Sequence, residues 1–303
     1  MATETLDRTV DLDAEVRAVS SDVDRLFSDL LALPGDDRDR LYAAMAHAAI
    51  GGGKRLRPLL ILATARLFDT DRECALVVGT AIEAIHVYSL IHDDLPCMDD
   101  DDLRRGKPTV HKAFDEATAV LAGDSLHALA FELLAEARAH PDPAIRAELV
   151  LGLSKASGPD GMAGGQMLDL AAEGRSLDLG AITRLQQLKT GALIEFSVEA
   201  GCIVSGLNGA GRLPLRGYAR NVGLAFQIAD DLIDHHGDEA AAGKRVGKDA
   251  AAGKATFVSL LGEERARAQA DLLVEQAIEH LHDHGAEADL LRAIARFAVA
   301  RNH

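Results

Sequence analysis

Tryptophan is absent from the 303 residues, and aromatics reach only 4%. A large core is still available, because 48% of the chain is hydrophobic, but that core has to be aliphatic. Cysteine is scarce: Cys74, Cys97 and Cys202 form no CxxC pair and no disulfide framework, which fits a reducing cytoplasm. Positive charge is in deficit, with 32 basic against 48 acidic residues and a net charge of −16. A general nucleic-acid or acidic-membrane footprint is thereby excluded. No run approaches the roughly 18 uncharged apolar residues of a membrane helix, so no stable membrane insertion is expected. The polar, acidic N-terminus (MATETLDRTVDLDAEV) reads as neither signal nor transit peptide. Strand signals, βαβ alternation and any period of 20–50 residues are missing as well. An acidic protein of this kind binds an anion through local basic clusters or bound cations.

What remains is helix. Leu12, Val16, Val19, Val23, Leu26, Leu30 and Leu33 recur at spacings of three and four and stop at Pro34-Gly35, which predicts an amphipathic helix over 12–33. The same period recurs over 39–49, 58–67, 74–95, 114–139, 143–156, 181–206, 215–234, 263–283 and 286–301. Stretches 74–92 and 192–207 are apolar almost all round and should be central helices. No Ser/Pro/Gly linker divides the chain, so residues 1–303 are expected to form one all-α domain.

Two acidic clusters stand out. The first, Asp93-Asp94-Leu95-Pro96-Cys97-Met98-Asp99-Asp100-Asp101-Asp102, follows the most apolar helix and so starts at the mouth of the core. A solvated acidic loop is the ordinary explanation of such a run. Here Pro96 bends the chain and can return Asp99 towards Asp93, and Arg104-Arg105 follow at once. The second cluster is Gln227-Ile228-Ala229-Asp230-Asp231-Leu232-Ile233-Asp234, whose spacing places an amide and three carboxylates on one helix face. Carboxylates without His or Cys suit hard cations, Mg²⁺ above all. Two such helix ends can hold several ions between them and clamp a diphosphate.

Cations are grouped to match. Gly51-Gly52-Gly53-Lys54-Arg55-Leu56-Arg57-Pro58 sets three of them before a helix N-terminus, a ready anion site. Lys189-Thr190-Gly191 lies inside an apolar helix, where a lysine needs a partner. His86 shares the helical face of Asp93. Residues 240–244 and 250–254 both read Ala-Ala-Ala-Gly-Lys; the P-loop reading fails on spacing and on the missing Ser/Thr. A flexible basic lid carrying Lys244 and Lys254 accounts for the repeat better.

These motifs, with Leu103-Arg104-Arg105-Gly106 and Gly164-Gly165-Gln166, resemble in order those of the short-chain trans-isoprenyl diphosphate synthases over about residues 25–300. The resemblance implies about ten or more helices around a central active-site cavity, and usually a homodimer. It implies that Lys54, Arg57, His86 and Arg105 hold isopentenyl diphosphate. Arg104, Lys189, Thr190, Gln227, Lys244 and Lys254 would hold the allylic diphosphate. Asp93, Asp99 and Asp230, supported by Asp94 and Asp234, would bind Mg²⁺, three ions in all; with Lys189 they would form the catalytic set. Four residues separate Asp94 from Asp99, as in the bacterial farnesyl and type II geranylgeranyl enzymes.

Tyr88, five residues before Asp93, sits roughly 7.5 Å deeper along the same helix at 1.5 Å per residue. An aromatic at this spacing goes, in the resembling family, with farnesyl products: the ring is a floor for the growing tail, and the small Ser89 leaves room above it. Residues near Ser125 and His127 on the facing helix should also shape the shaft. The geranylgeranyl product is the alternative. A class I terpene cyclase would not need the Lys54/Arg57/His86 set, and a metal-dependent phosphohydrolase would leave the basic loops unexplained. An inactive helical partner subunit would typically have lost Asp-rich residues that this chain keeps.

Overall fold

A computed structural model describes residues 10–172, 174–175, 177–236 and 256–300. Aspartate does much of the work of starting helices. The side chain of Asp11 accepts from the Ala14 N–H (2.9 Å) to open α1 (Leu12–Leu30). Asp71 opens α4 (Arg72–Asp93), Asp115 opens α6 (Glu116–Ala135), Asp142 with Pro143 opens α7 (Pro143–Ser157), and Asp178 opens α9 (Leu179–Gln186) in the same way. Part of the acidic excess is therefore capping. The order is completed by α2 (Asp39–Ala49), α3 (Leu56–Arg66), α5 (Val110–Ala113), α8 (Met162–Ala172), α10 (Ala192–Val204), α11 (Leu213–His236), α12 (Phe257–Leu261), α13 (Glu263–Glu279) and α14 (Asp289–Ala300). The sole sheet among the described residues is an antiparallel pair, β1 (Leu103–Arg104) with β2 (Lys107–Pro108).

Helix α4 lies at the centre, packed on α3 and α6, and α10 packs on α3 and also on α4. Both are buried along most of their length, as their unbroken apolarity requires. Glycines set the closest crossings. A Cβ at Gly79 of α4 would lie 3.1 Å from the backbone of Pro58, and one at Gly201 of α10 would lie 2.6 Å from the side chain of Thr64.

The structure departs from the expected elements in several places. Helix α1 buries Val19, Val23 and Phe27 and ends at Leu30, short of the expected 33, so Leu33 lies beyond it and is exposed. Helix α8 has no sequence counterpart in the expected pattern. Its buried positions are Met162, Gly165, Asp169 and Ala172, too small and polar to read as an apolar stripe. The single helix expected over 181–206 is interrupted by a π turn over Gln187–Gly191. That over 114–139 begins late, at Glu116, after the separate short α5. The lid expected over residues 236–254 begins at His236, where α11 ends, and the rest of it lies outside the described residues. Two helices do reach membrane-spanning length and apolarity, α4 and α6, against the expectation that none would. The apolar part of α4 is mostly inside the protein; α6 leaves Val120 and Leu121 exposed.

Candidate active site

The last turn of α4 delivers Asp93, and the chain then turns back on itself as Pro96 demands. The Asp99 N–H donates to the Asp93 carbonyl (2.8 Å), and the Asp101 N–H to that of Asp94 (3.2 Å). Burial lifts the Asp93 carboxyl to about 6; the nearby charge of Lys189 opposes this, while Asp99 and Asp94 add to it. Asp94 is also pushed up by burial, against the pull of Arg104. The Arg104 Nε sits 2.7 and 2.9 Å from the two Asp94 oxygens, and a second nitrogen lies 2.6 Å away. Asp94 and Arg104, expected on a cation and on a diphosphate respectively, are thus committed to each other.

The β1–β2 turn carries Arg105 at φ 54°. Its guanidinium fills the space that side chains at 52 and 53 would take: a Cβ at Gly53 would lie 2.7 Å from it. Gly51 and Gly53 also adopt positive φ, so the triple glycine is a cradle for Arg105 as well as a turn. Arg57 projects into the same region. Burial lowers its pKa, Arg105 adds to this, and Glu83 and Asp230 oppose it; its Nε is buried with no hydrogen-bond partner. His86 is held well below the usual imidazole range, first by burial and then by Arg57, Arg105, Arg104 and Arg55. It is therefore a neutral imidazole within a cationic cluster. Arg57, His86 and Arg105 do come together, with Asp230 acting on Arg57. Lys54 stays exposed, its ammonium 4.6 Å from the centre of the Phe297 ring.

Arg55, between Lys54 and Arg57, turns the other way. Its φ of 46° points the side chain inward, 1% exposed, onto Glu83 (2.9 Å), Asp24 (2.6 Å) and the Ala49 carbonyl. The three cations of this segment therefore have different jobs. A lone glutamate at 83 inside an apolar helix was the available signal that a buried cation must meet it.

Lys189 sits in the π turn and donates to Asp169 of α8 at 2.7 Å, the partner its surroundings demand. Gly165 permits this approach: a Cβ there would lie 2.1 Å from the Lys189 backbone nitrogen. Gln166 beside it keeps a buried Nε2 without a partner. Asp169 joins the candidate site through Lys189, and motif spacing does not reveal it, since nothing local marks it. Thr190 lies in the same turn, and Gln227 lines a cavity of about 420 Å³ between that turn and α11, with Gln187, Leu188, Gly191 and Leu224. Asp230 and Asp234 follow Gln227 along α11. Asp231, on the same stretch of α11, accepts from the Phe257 N–H at 2.8 Å and so anchors α12. Lys244 and Lys254 lie outside the described residues.

Tyr88 is half-buried. Its ring meets His92 (5.7 Å) and His127 (5.0 Å) edge-on, and His127 meets Phe131 (5.2 Å), a chain of rings joining α4 to α6. The Ser89 hydroxyl donates to the His86 carbonyl.

With this arrangement in view, residues 38–296 match the family model described as Polyprenyl synthetase. The chain belongs to the polyprenyl synthetase family. Among its curated relatives, the farnesyl diphosphate synthase of Escherichia coli (strain K12) is 46% identical over 263 residues, 85% of this chain and 88% of that protein. That of Geobacillus stearothermophilus is 44% identical over 265 residues, 87% and 89%. A solved structure of an FPP/GFPP synthase from Zymomonas mobilis superposes with TM-score 0.89 at 61% identity, covering 95% of this chain and 99% of that one. The all-α architecture read from periodicity is that of this neighbour.

Proposed function

We propose that residues 1–303 form a single catalytic domain. It condenses isopentenyl diphosphate head to tail with dimethylallyl and then geranyl diphosphate, giving farnesyl diphosphate. The observation that carries this reading is the gathering of cations at the Asp-rich end of α4: Arg104 is ion-paired with Asp94 at 2.6 Å, and Lys189, held by Asp169 at 2.7 Å, is near enough to act on Asp93.

Asp93, Asp99 and Asp230, with Asp94 and Asp234, would hold Mg²⁺, three ions in this reading. The donor set is all oxygen, and burial together with like charge on Asp93 gives a cluster that a cation relieves. No three His, Cys, Asp or Glu groups among the described residues converge on one point. Mg²⁺ takes one or two protein carboxylates and completes its shell with substrate phosphates and water. When bound it supplies positive charge against the departing diphosphate.

The chain's own groups do the rest. Lys189, Thr190, Gln227 and Arg104, with Lys244 and Lys254, hold the allylic diphosphate, which requires the Arg104–Asp94 fork to open. Arg57, Arg105, Lys54 and neutral His86 hold isopentenyl diphosphate. Cleavage of the allylic C–O bond leaves a carbocation, the isopentenyl double bond attacks it, and a proton is lost to the released diphosphate. Each 1.36 kcal/mol of charge stabilisation is tenfold in rate, and apolar walls keep water from the cation. Tyr88 is the floor that ends elongation, with Ser89 above it.

The apolar surface that α6 leaves exposed at Val120 and Leu121 supports a homodimer. Three free thiols support a cytoplasmic setting. Longer products are the second reading, favoured by the 61%-identical neighbour whose name covers both FPP and GFPP. One assay decides among these: purified protein with Mg²⁺, isopentenyl diphosphate and each allylic primer, with product length read by mass. Fifteen-carbon product is expected; no product from any primer overturns the enzyme reading.

A further inference from the structure

The geometry points to Phe297 as a positioning residue for the isopentenyl diphosphate site, acting through Lys54. This rests on the proposed role of Lys54 as a diphosphate ligand. Helix α14 presses Leu290, Leu291, Ile294, Ala295 and Ala298 into the core, and the Tyr218 hydroxyl donates to the Leu291 carbonyl at 2.7 Å. The backbone that carries Phe297 is therefore fixed. Its half-buried ring lies on the adjacent face, 4.6 Å from the Lys54 ammonium, which stands at the end of the glycine cradle just before α3.

A lysine on four rotatable bonds loses much side-chain freedom when it must meet a bound anion. An aromatic face attracts an ammonium without neutralising it, unlike a carboxylate at the same distance. The ring thus gathers Lys54 at the end of the glycine cradle, and part of the ordering cost is met before the diphosphate arrives. The C-terminal helix, remote in sequence from every motif, is in this way part of the binding site.

The test is steady-state kinetics on the full chain with Phe297→Leu, Phe297→Tyr, Lys54→Ala and the double variant Lys54→Ala/Phe297→Leu. Phe297→Leu keeps apolar bulk and loses the ring. It should raise KM for isopentenyl diphosphate about three- to tenfold, with kcat, allylic KM and melting temperature unchanged. Phe297→Tyr should restore KM, and Phe297→Leu should add nothing once Lys54 is gone. An unchanged KM in Phe297→Leu while Lys54→Ala raises it sinks the ring's role alone. Equal loss in the Tyr variant, or an undiminished effect in the Lys54→Ala background, shows that the ring is packing and also overturns the proposal. If Lys54→Ala leaves KM unchanged, the diphosphate assignment of Lys54 fails and takes the proposal with it.

Discussion

Replacing Arg55 by Met removes the one cation of the Lys54–Arg57 segment that faces inward. The lost contacts are ion pairs to Glu83 (2.9 Å) and Asp24 (2.6 Å) and the bond to the Ala49 carbonyl. Glu83 is 1% exposed, and its second carboxylate oxygen already has no hydrogen-bond partner, so it is left as a buried charge without a hydrogen-bonded cation, offset only by the fields of Arg57 and Arg105. Removing one member of a buried pair costs about 3–5 kcal/mol. At about 2 °C per kcal/mol for a chain of this size, the melting temperature should fall by roughly 6–10 °C. Removing the partner as well, in Arg55→Met/Glu83→Leu, should recover most of that loss, because an apolar pair can fill a buried ionic site at little net cost. Calorimetry or urea unfolding of both variants at one protein concentration reads the difference, and KM for both diphosphates should stay unchanged in the double variant. A loss below about 1 kcal/mol, or a double variant no more stable than the single one, refutes the structural role. A stable Arg55→Met protein with raised KM would make Arg55 a substrate ligand instead.

Other outcomes follow from the same geometry. Asp93 is held at about 6 against 3.8, so its ionisation opposes folding above that range and has no effect below it. Metal-free Asp93→Asn should therefore be more stable than the parent at pH 7.5, by up to about 3 kcal/mol at 1.36 kcal/mol per pH unit. The gap should close towards pH 4 while turnover falls by orders of magnitude; a pH-independent gap, or near-normal turnover, contradicts the assignment. Tyr88→Ala should lengthen the main product to twenty carbons or more with condensation intact, and an unchanged product distribution moves the floor elsewhere. The Cys202 thiol is pushed up to about 12 by burial, whereas Cys97 is exposed. Iodoacetamide at pH 8 should label Cys97 and spare Cys202 until the protein unfolds, as peptide mass mapping will show.

Hydrophobic period alone determined most of the helices, because a 3.6-residue repeat is a local property that survives in any helical packing. Pro96 likewise sufficed for the return of Asp99 to Asp93, and the ordered motifs for the family. Tertiary structure decided the rest. Beyond Met162, the buried face of α8 is made of glycine, aspartate and alanine, which allow close approach to the π turn rather than supply apolarity, so period could not show it. Arg55 and Arg57 are two positions apart and chemically identical; only a left-handed backbone at 55 and the placement of Asp24 and Glu83 on two other helices separate a structural cation from a site cation. Asp94 with Arg104, Lys189 with Asp169, and Asp231 with the Phe257 N–H were decided in the same way. A charge in the sequence states what must be partnered on burial, but the partner is set by which helices the core brings together.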